Sequence, residues 1–226
     1  MGAVAVGRVR AEPWRIVAWL LVVGTLAAIS YGSRAGGARP EEDALYRYET
    51  AIGGVIVYIL LLGLVTLIVR GLPLREVFAL HGPRSWPRAL GLALGAYVTI
   101  LLGAGLLLRA LGATDEQGLT PQEWDPARAG AYAANFVAVA FVGPVVEELV
   151  YRGAGMSLLA RFGVPVAVVA TAVAFGLGHG LRLALPALVL FGLVVALLRL
   201  RTRSVYPPMV VHCAFNATSL IVSVAA

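Results

Sequence analysis

The 226-residue chain is 60% hydrophobic and 13% charged, with a mean hydropathy of +0.86. Soluble domains lie nearer half apolar and a quarter charged, so these values exclude a soluble globular protein and leave one polytopic membrane domain without a soluble appendage. The net charge of +6 is carried entirely by arginine at the ends of apolar runs, which argues for membrane orientation and against nucleic acid, and the lone Cys213 excludes an intramolecular disulfide.

Seven apolar runs follow in order, each near the roughly 20 residues that a helix needs to span hydrocarbon. They are Ile16–Tyr31, Ala51–Val69, Ala89–Leu108, Ala129–Val150, Gly163–Leu181, Leu183–Leu198 and Val205–Ala226. The expected fold is an all-α polytopic membrane helix bundle. Residues 1–128 would hold helices one to three with their loops, and 129–226 the remaining four. Only Arg182 separates the fifth and sixth runs, which read as two tightly turned spans or one broken unit. Gly153–Phe162 is short enough to be an eighth helix; we read it as an interfacial segment. Gly91-x-x-x-Gly95 permits close helix contact and is expected to pack within the bundle. Trp14, Trp86 and Trp124 flank spans as interfacial anchors.

The loops check this reading. Arg8, Arg10 and Arg15 precede the first run, and Arg34, Arg39 and Arg47 sit among Glu41, Glu42, Asp43 and Glu49 after it. Arg70, Arg75, Arg84 and Arg88 follow the second run; Asp115, Glu116, Glu123 and Asp125 face Arg128 after the third. Arg152 and Arg161 follow the fourth, and Arg199, Arg201 and Arg203 the sixth. Arginine-rich and arginine-poor loops alternate, apart from the first external loop, and place the amino terminus inside and the carboxyl terminus outside. The absence of lysine points to a GC-rich prokaryotic genome, and so to a prokaryotic cell membrane.

Polar residues inside the runs are the anomaly. Glu147 and Glu148 end a run that otherwise carries no charge, and a carboxylate in hydrocarbon needs a partner or a wet cavity. On a helix Glu148 and Arg152 are four apart and share a face, while Glu147 points about 100° away. Pro144, one turn earlier, lacks a donor and is expected to open the helix where the carboxylates begin. The fifth run ends Phe175-Gly176-Leu177-Gly178-His179-Gly180, where the glycines let another group approach His179. His212 and Asn216, again four apart, form one polar stripe on the seventh run. Singly, such residues are more often interhelical glue than catalysts. Together, on three spans, they can line one wet cavity, which leaves a hydrolase or a proton- or ion-coupled transporter. The polar residues crowd into the last four runs and show no two-halved symmetry, which favours the hydrolase.

Glu147-Glu148-x-x-x-Arg152, Phe175-x-x-x-His179 and His212-x-x-x-Asn216 resemble, in order, the three motifs of the CPBP (CAAX protease and bacteriocin-processing, or Abi) intramembrane proteases, which include the type II CAAX prenyl endopeptidases. The resemblance covers about Phe136 to Leu220. It implies an endopeptidase acting on a membrane-associated peptide or protein in the lipid bilayer. Glu147 would activate a water, His179 orient or deprotonate it, and His212 and Asn216 stabilise the oxyanion. Glu148, Arg152 and Phe175 would support the site. A non-proteolytic immunity or scaffold role is the alternative inside the family. The resemblance leaves two mechanisms: a divalent metal such as zinc on Glu147, His179 and His212, or metal-independent glutamate chemistry. We favour the second, because Glu147 cannot readily be both ligand and base. No Ser-His-Asp pattern, HExxH or reactive-cysteine context offers a covalent route.

Overall fold

The computed structural model of the chain describes residues 11–36, 43–114, 116 and 123–225. Arg8, Arg10, Arg39, Glu41, Glu42, Asp115 and Ala226 lie outside them. Among the described residues the chain is helical, with no strand. Seven helices stand where the seven apolar runs lie: α1 Pro13–Ala35, α2 Tyr48–Ile68, α3 Trp86–Ala110, α4 Pro126–Phe162, α5 Val164–Gly178, α6 Leu185–Thr202 and α7 Tyr206–Ala225. Six are long and apolar enough to cross a membrane, and α5 is a shorter apolar helix of 15 residues. Proline occupies the first turn of α1, α3, α5 and α6, where its ring presets φ and its missing N–H removes no intrahelical bond.

Burial sorts the helices into centre and ring. Of the apolar stretches, 50% of α6 and 44% of α4 are buried, against 17% to 22% of α1, α2, α3 and α7. The outer helices instead present exposed apolar side chains such as Leu21, Ile59, Leu60, Leu102 and Leu106, the surface that lipid covers. At the centre α5 and α6 pack so closely that a Cβ on Gly192 would lie 2.8 Å from the Ala172 Cα. The turn between them passes through Gly180 at φ +67, where a Cβ would lie 2.7 Å from the Ser30 carbonyl carbon, so glycine is required there. Ser30 and Tyr31 of α1 donate to the carbonyls of Gly178 and Leu181 at 2.8 and 2.9 Å and hold that turn down. The fifth and sixth runs are thus two helices joined by a tight turn, the first of them shorter than a full span.

Three expectations are corrected. Gly153–Phe162 is neither an interfacial segment nor a separate helix: α4 runs on through it for 37 residues in all. That is roughly 55 Å at 1.5 Å per residue, well beyond a hydrocarbon core of about 30 Å, and its second half is enclosed by protein. Gly153, Ala154, Gly155, Met156, Ser157, Leu158 and Leu159 are all buried. The segment after α2 folds back beneath them, with Phe78 seated against Gly153 and the Val77 carbonyl accepting from Ser157 Oγ at 2.7 Å. Second, Gly91 and Gly95 meet nothing within 4 Å and face outward; Gly103 is the glycine of α3 that packs, against Leu190. Third, Arg199 is not a loop residue but is buried in α6, donating through Nε to the Arg152 carbonyl at 3.3 Å.

At the end opposite the arginine-rich one, a single acid holds the turn that leads into α6. Glu116 accepts from the backbone N–H groups of Arg182, Leu183 and Ala184 at 2.7, 3.1 and 2.6 Å, just before α6 begins. Burial alone would raise its pKa; the donors of Ala184, Arg182 and Leu183 and then the charge of Arg34 outweigh that and hold the carboxyl below its ordinary value. A depressed folded value contributes stability above the ordinary carboxylate range and loses it as pH falls through that folded value. Glu116→Gln is therefore expected to lower the unfolding temperature at neutral pH, with the gap to wild type closing below about pH 4. A gap that stays constant across that titration would contradict the capping role.

Candidate active site

The carboxylates sit on a helix whose register changes twice. Ala138–Val142 and Leu149–Gly155 are π-helical, and the six α-helical residues Gly143–Glu148 lie between them. Pro144 accounts for the first change. The Gly143 N–H bonds to the Ala138 carbonyl five residues back, so the matching donor for Val139 would be Pro144, which has none. Asn216 of α7 fills the gap, its Nδ2 donating to the Val139 carbonyl at 2.9 Å. In the second π segment Trp19 Nε1 donates to the Val150 carbonyl at 3.1 Å. Thus the opening expected at Pro144 is present, and it recruits the motif asparagine.

Glu148 and Arg152 are both fully buried and paired at 3.1 Å, as their spacing indicates. Arg152 also donates from Nη2 to the Gly192 carbonyl at 3.1 Å, and its guanidinium lies 4.6 Å from the Phe175 ring centre. His212 joins the same carboxylate oxygen from α7, Nδ1 to Glu148 Oε1 at 3.0 Å. A carboxylate engaged by arginine only accepts, so Nδ1 carries the proton and Nε2 points on toward Glu147 Oε2, 3.7 Å away. His212 therefore lies between the two acids and is hydrogen-bonded to Glu148. Glu147 differs from its neighbour in exposure: 15% of its side chain is accessible against 0% for Glu148. Water can reach one acid and not the other.

A residue that sequence reasoning missed completes the environment of Glu147. Tyr58 of α2 donates to Glu147 Oε1 at 3.1 Å. It fits because residue 143 is glycine, where a Cβ would lie 2.7 Å from the Tyr58 hydroxyl. Tyr58→Phe removes a hydrogen bond to a charged group, worth about 1.5–3 kcal/mol, and should slow turnover roughly ten- to hundredfold with the fold intact. An unchanged rate would show that the contact has no part in the chemistry.

His179 lies at the end of α5 with Nδ1 at 2.9 Å from the Phe175 carbonyl. A carbonyl only accepts, so Nδ1 bears a hydrogen, and in the neutral imidazole Nε2 keeps its lone pair. The Phe175 ring touches both histidines, at 4.8 Å from His179 and 5.6 Å from His212, and stacks on Phe191 at 5.4 Å. Tyr151, edge-on to Phe175, closes the cluster on another side. The structure thus joins Glu148, Arg152 and His212 directly and sets Glu147 beside them, while His179, just after α5, connects to them through the Phe175 ring and Asn216 meets α4 at Val139. Among the described residues no group of three or more His, Cys, Asp or Glu is arranged to hold a metal ion. Glu147 and His212 approach each other, but the set Glu147, His179 and His212 does not form such a group.

A helical membrane bundle with a buried, hydrogen-bonded pair of acids and two histidines defines a class in which polar chemistry is enclosed inside spans. The family model described as type II CAAX prenyl endopeptidase Rce1-like matches residues 129–218, the stretch that carries every motif residue. No curated protein and no solved structure matches the chain.

Proposed function

We propose that the chain is an endopeptidase that hydrolyses a peptide bond of a membrane-associated peptide or protein with a water activated by Glu147. The observation that carries this reading is the contrast between the acids: Glu148 is buried and paired with Arg152 and His212, whereas Glu147 is reachable and hydrogen-bonded to the Tyr58 hydroxyl. Glu147 takes a proton from the water as its oxygen attacks the carbonyl carbon. The unprotonated Nε2 of His179 accepts a hydrogen bond from that water and orients it. His212 Nε2, 3.7 Å from Glu147, shares the abstracted proton and then offers an N–H to the oxyanion, while Glu148 balances the imidazolium from behind. The second N–H of the Asn216 amide is the other oxyanion donor; the first stays on Val139. Collapse breaks the C–N bond, and the proton passes to the leaving amine, giving a carboxylate and an amine product.

This route uses the chain's own residues. With the arginine-rich end in the cytoplasm, substrate enters from the bilayer or its surface. Nothing in the sequence encodes prenyl recognition, so a bacteriocin-like peptide, a lipoprotein or a membrane-bound regulator is as suitable as a prenylated terminus. Purified chain in liposomes, presented with prenylated and unprenylated membrane-anchored peptides, should cleave at least one. His179→Ala and Asn216→Ala should each slow that cleavage, and 1,10-phenanthroline should leave it unchanged. Loss of cleavage on chelation, restored by zinc, would overturn the glutamate route.

A further inference from the structure

At the arginine-rich end, apart from the residues above, a cavity of about 240 Å³ opens between the start of α3 and the end of α6. Arg84 and Arg88 line one side and Arg201 and Arg203 the other, over an apolar wall that includes Ala89 and Leu92. None of these four guanidinium groups has a hydrogen bond or ion pair with another described residue. Other arginines at this end do have partners: Arg15 donates to the Ile68 and Arg70 carbonyls, Arg75 to the Leu80 carbonyl, and Arg161 lies over the Phe162 ring. Membrane orientation asks for arginine in these loops, but it does not ask four of them to converge on one concavity. Convergence of like charges costs free energy unless an anion sits among them.

Two further observations point the same way. The side chain of Ser85, which also lines the cavity, does not cap α3, so the positive end of a 25-residue helix is open beside the arginines. Arg203 is held at φ +57, a strained conformation for a side-chain-bearing residue that turns the chain back at this point. The occupant is amphiphilic, because the wall passes from arginine to Ala89 and Leu92 inside an apolar span. Trp86, half exposed at the same level, marks the membrane interface. We propose that this cavity binds the phosphate of an anionic phospholipid headgroup, with the acyl chains descending along α3.

The test is native mass spectrometry of the detergent-purified chain titrated with dihexanoyl phosphatidylglycerol, dihexanoyl phosphatidylcholine or inorganic phosphate. Phosphatidylglycerol should half-saturate at a concentration about tenfold below phosphatidylcholine. Arg88→Gln and Arg201→Gln, each checked by thermal unfolding, should raise that concentration about fivefold, and Arg75→Gln and Arg161→Gln should leave it unchanged. Equal binding of both lipids, or equal loss in the Arg75 and Arg161 variants, overturns the site. Displacement of the lipid by inorganic phosphate at matching concentration overturns the lipid assignment and makes it a site for free phosphate.

Discussion

Glu147→Gln should lower peptide cleavage by about 10²–10⁴-fold, the usual contribution of a general base, and leave the unfolding temperature near that of wild type. The amide preserves the shape of the side chain and can still accept from the Tyr58 hydroxyl, so the neighbouring helices keep their contacts. What it cannot do is take a proton from water. Single-turnover cleavage in liposomes, with thermal unfolding of the same preparation, separates the two effects. A variant that folds and cleaves within a few-fold of wild type removes Glu147 from the mechanism; a variant that does not fold removes the distinction between the two acids.

The second large effect is on stability. Arg152→Met leaves Glu148 fully buried with only His212 to compensate it, and breaking such a pair costs about 3–5 kcal/mol. Glu148 Oε2 and Arg152 Nε have no partner among the described residues, so the pair rests on few contacts and has little to fall back on. Removing both charges should behave differently. In Glu148→Gln with Arg152→Met no unpaired charge is buried, and stability should return toward wild type. Cleavage should not return, because His212 then lacks the carboxylate that fixes its Nδ1 proton and supports its charge. Chemical or thermal unfolding of the single and double variants, with cleavage measured alongside, checks this. Full recovery of activity in the double variant would show that Glu148 acts only on folding.

The parts of this site that were legible in the sequence were those set by local spacing. Glu148 and Arg152 lie one turn apart, so the ion pair can be read before any fold is known, and Pro144 announces its own break. The seven runs are legible because hydrocarbon requires long uncharged helices. The contact between His212 and Glu148 joins residues 64 apart and depends on how α7 leans on α4. Tyr58 was invisible for a related reason: in an apolar span one tyrosine reads as an anchor or a packing residue. The available signal was a phenol in the body of α2 rather than at its ends, together with Gly143 on the helix of the acids. The end of α4 was misread because Arg152, Gly153 and Gly155 look like the close of a span. Their reason for being inside is tertiary: Arg152 has Glu148 and the Gly192 carbonyl, Gly153 admits Phe78, and Gly155 admits Trp19. The outward face of Gly91 and Gly95 shows the reverse case, a packing pattern with nothing packed on it.

The most direct test of the central claim compares membrane proteomes of cells that carry the wild-type chain or Glu147→Gln at equal abundance, read at the level of newly formed peptide termini. At least one membrane-associated precursor should accumulate with Glu147→Gln, and its cleaved form, with a new terminus, should be present only with the wild type. Identical termini in the two proteomes would contradict an endopeptidase that depends on Glu147.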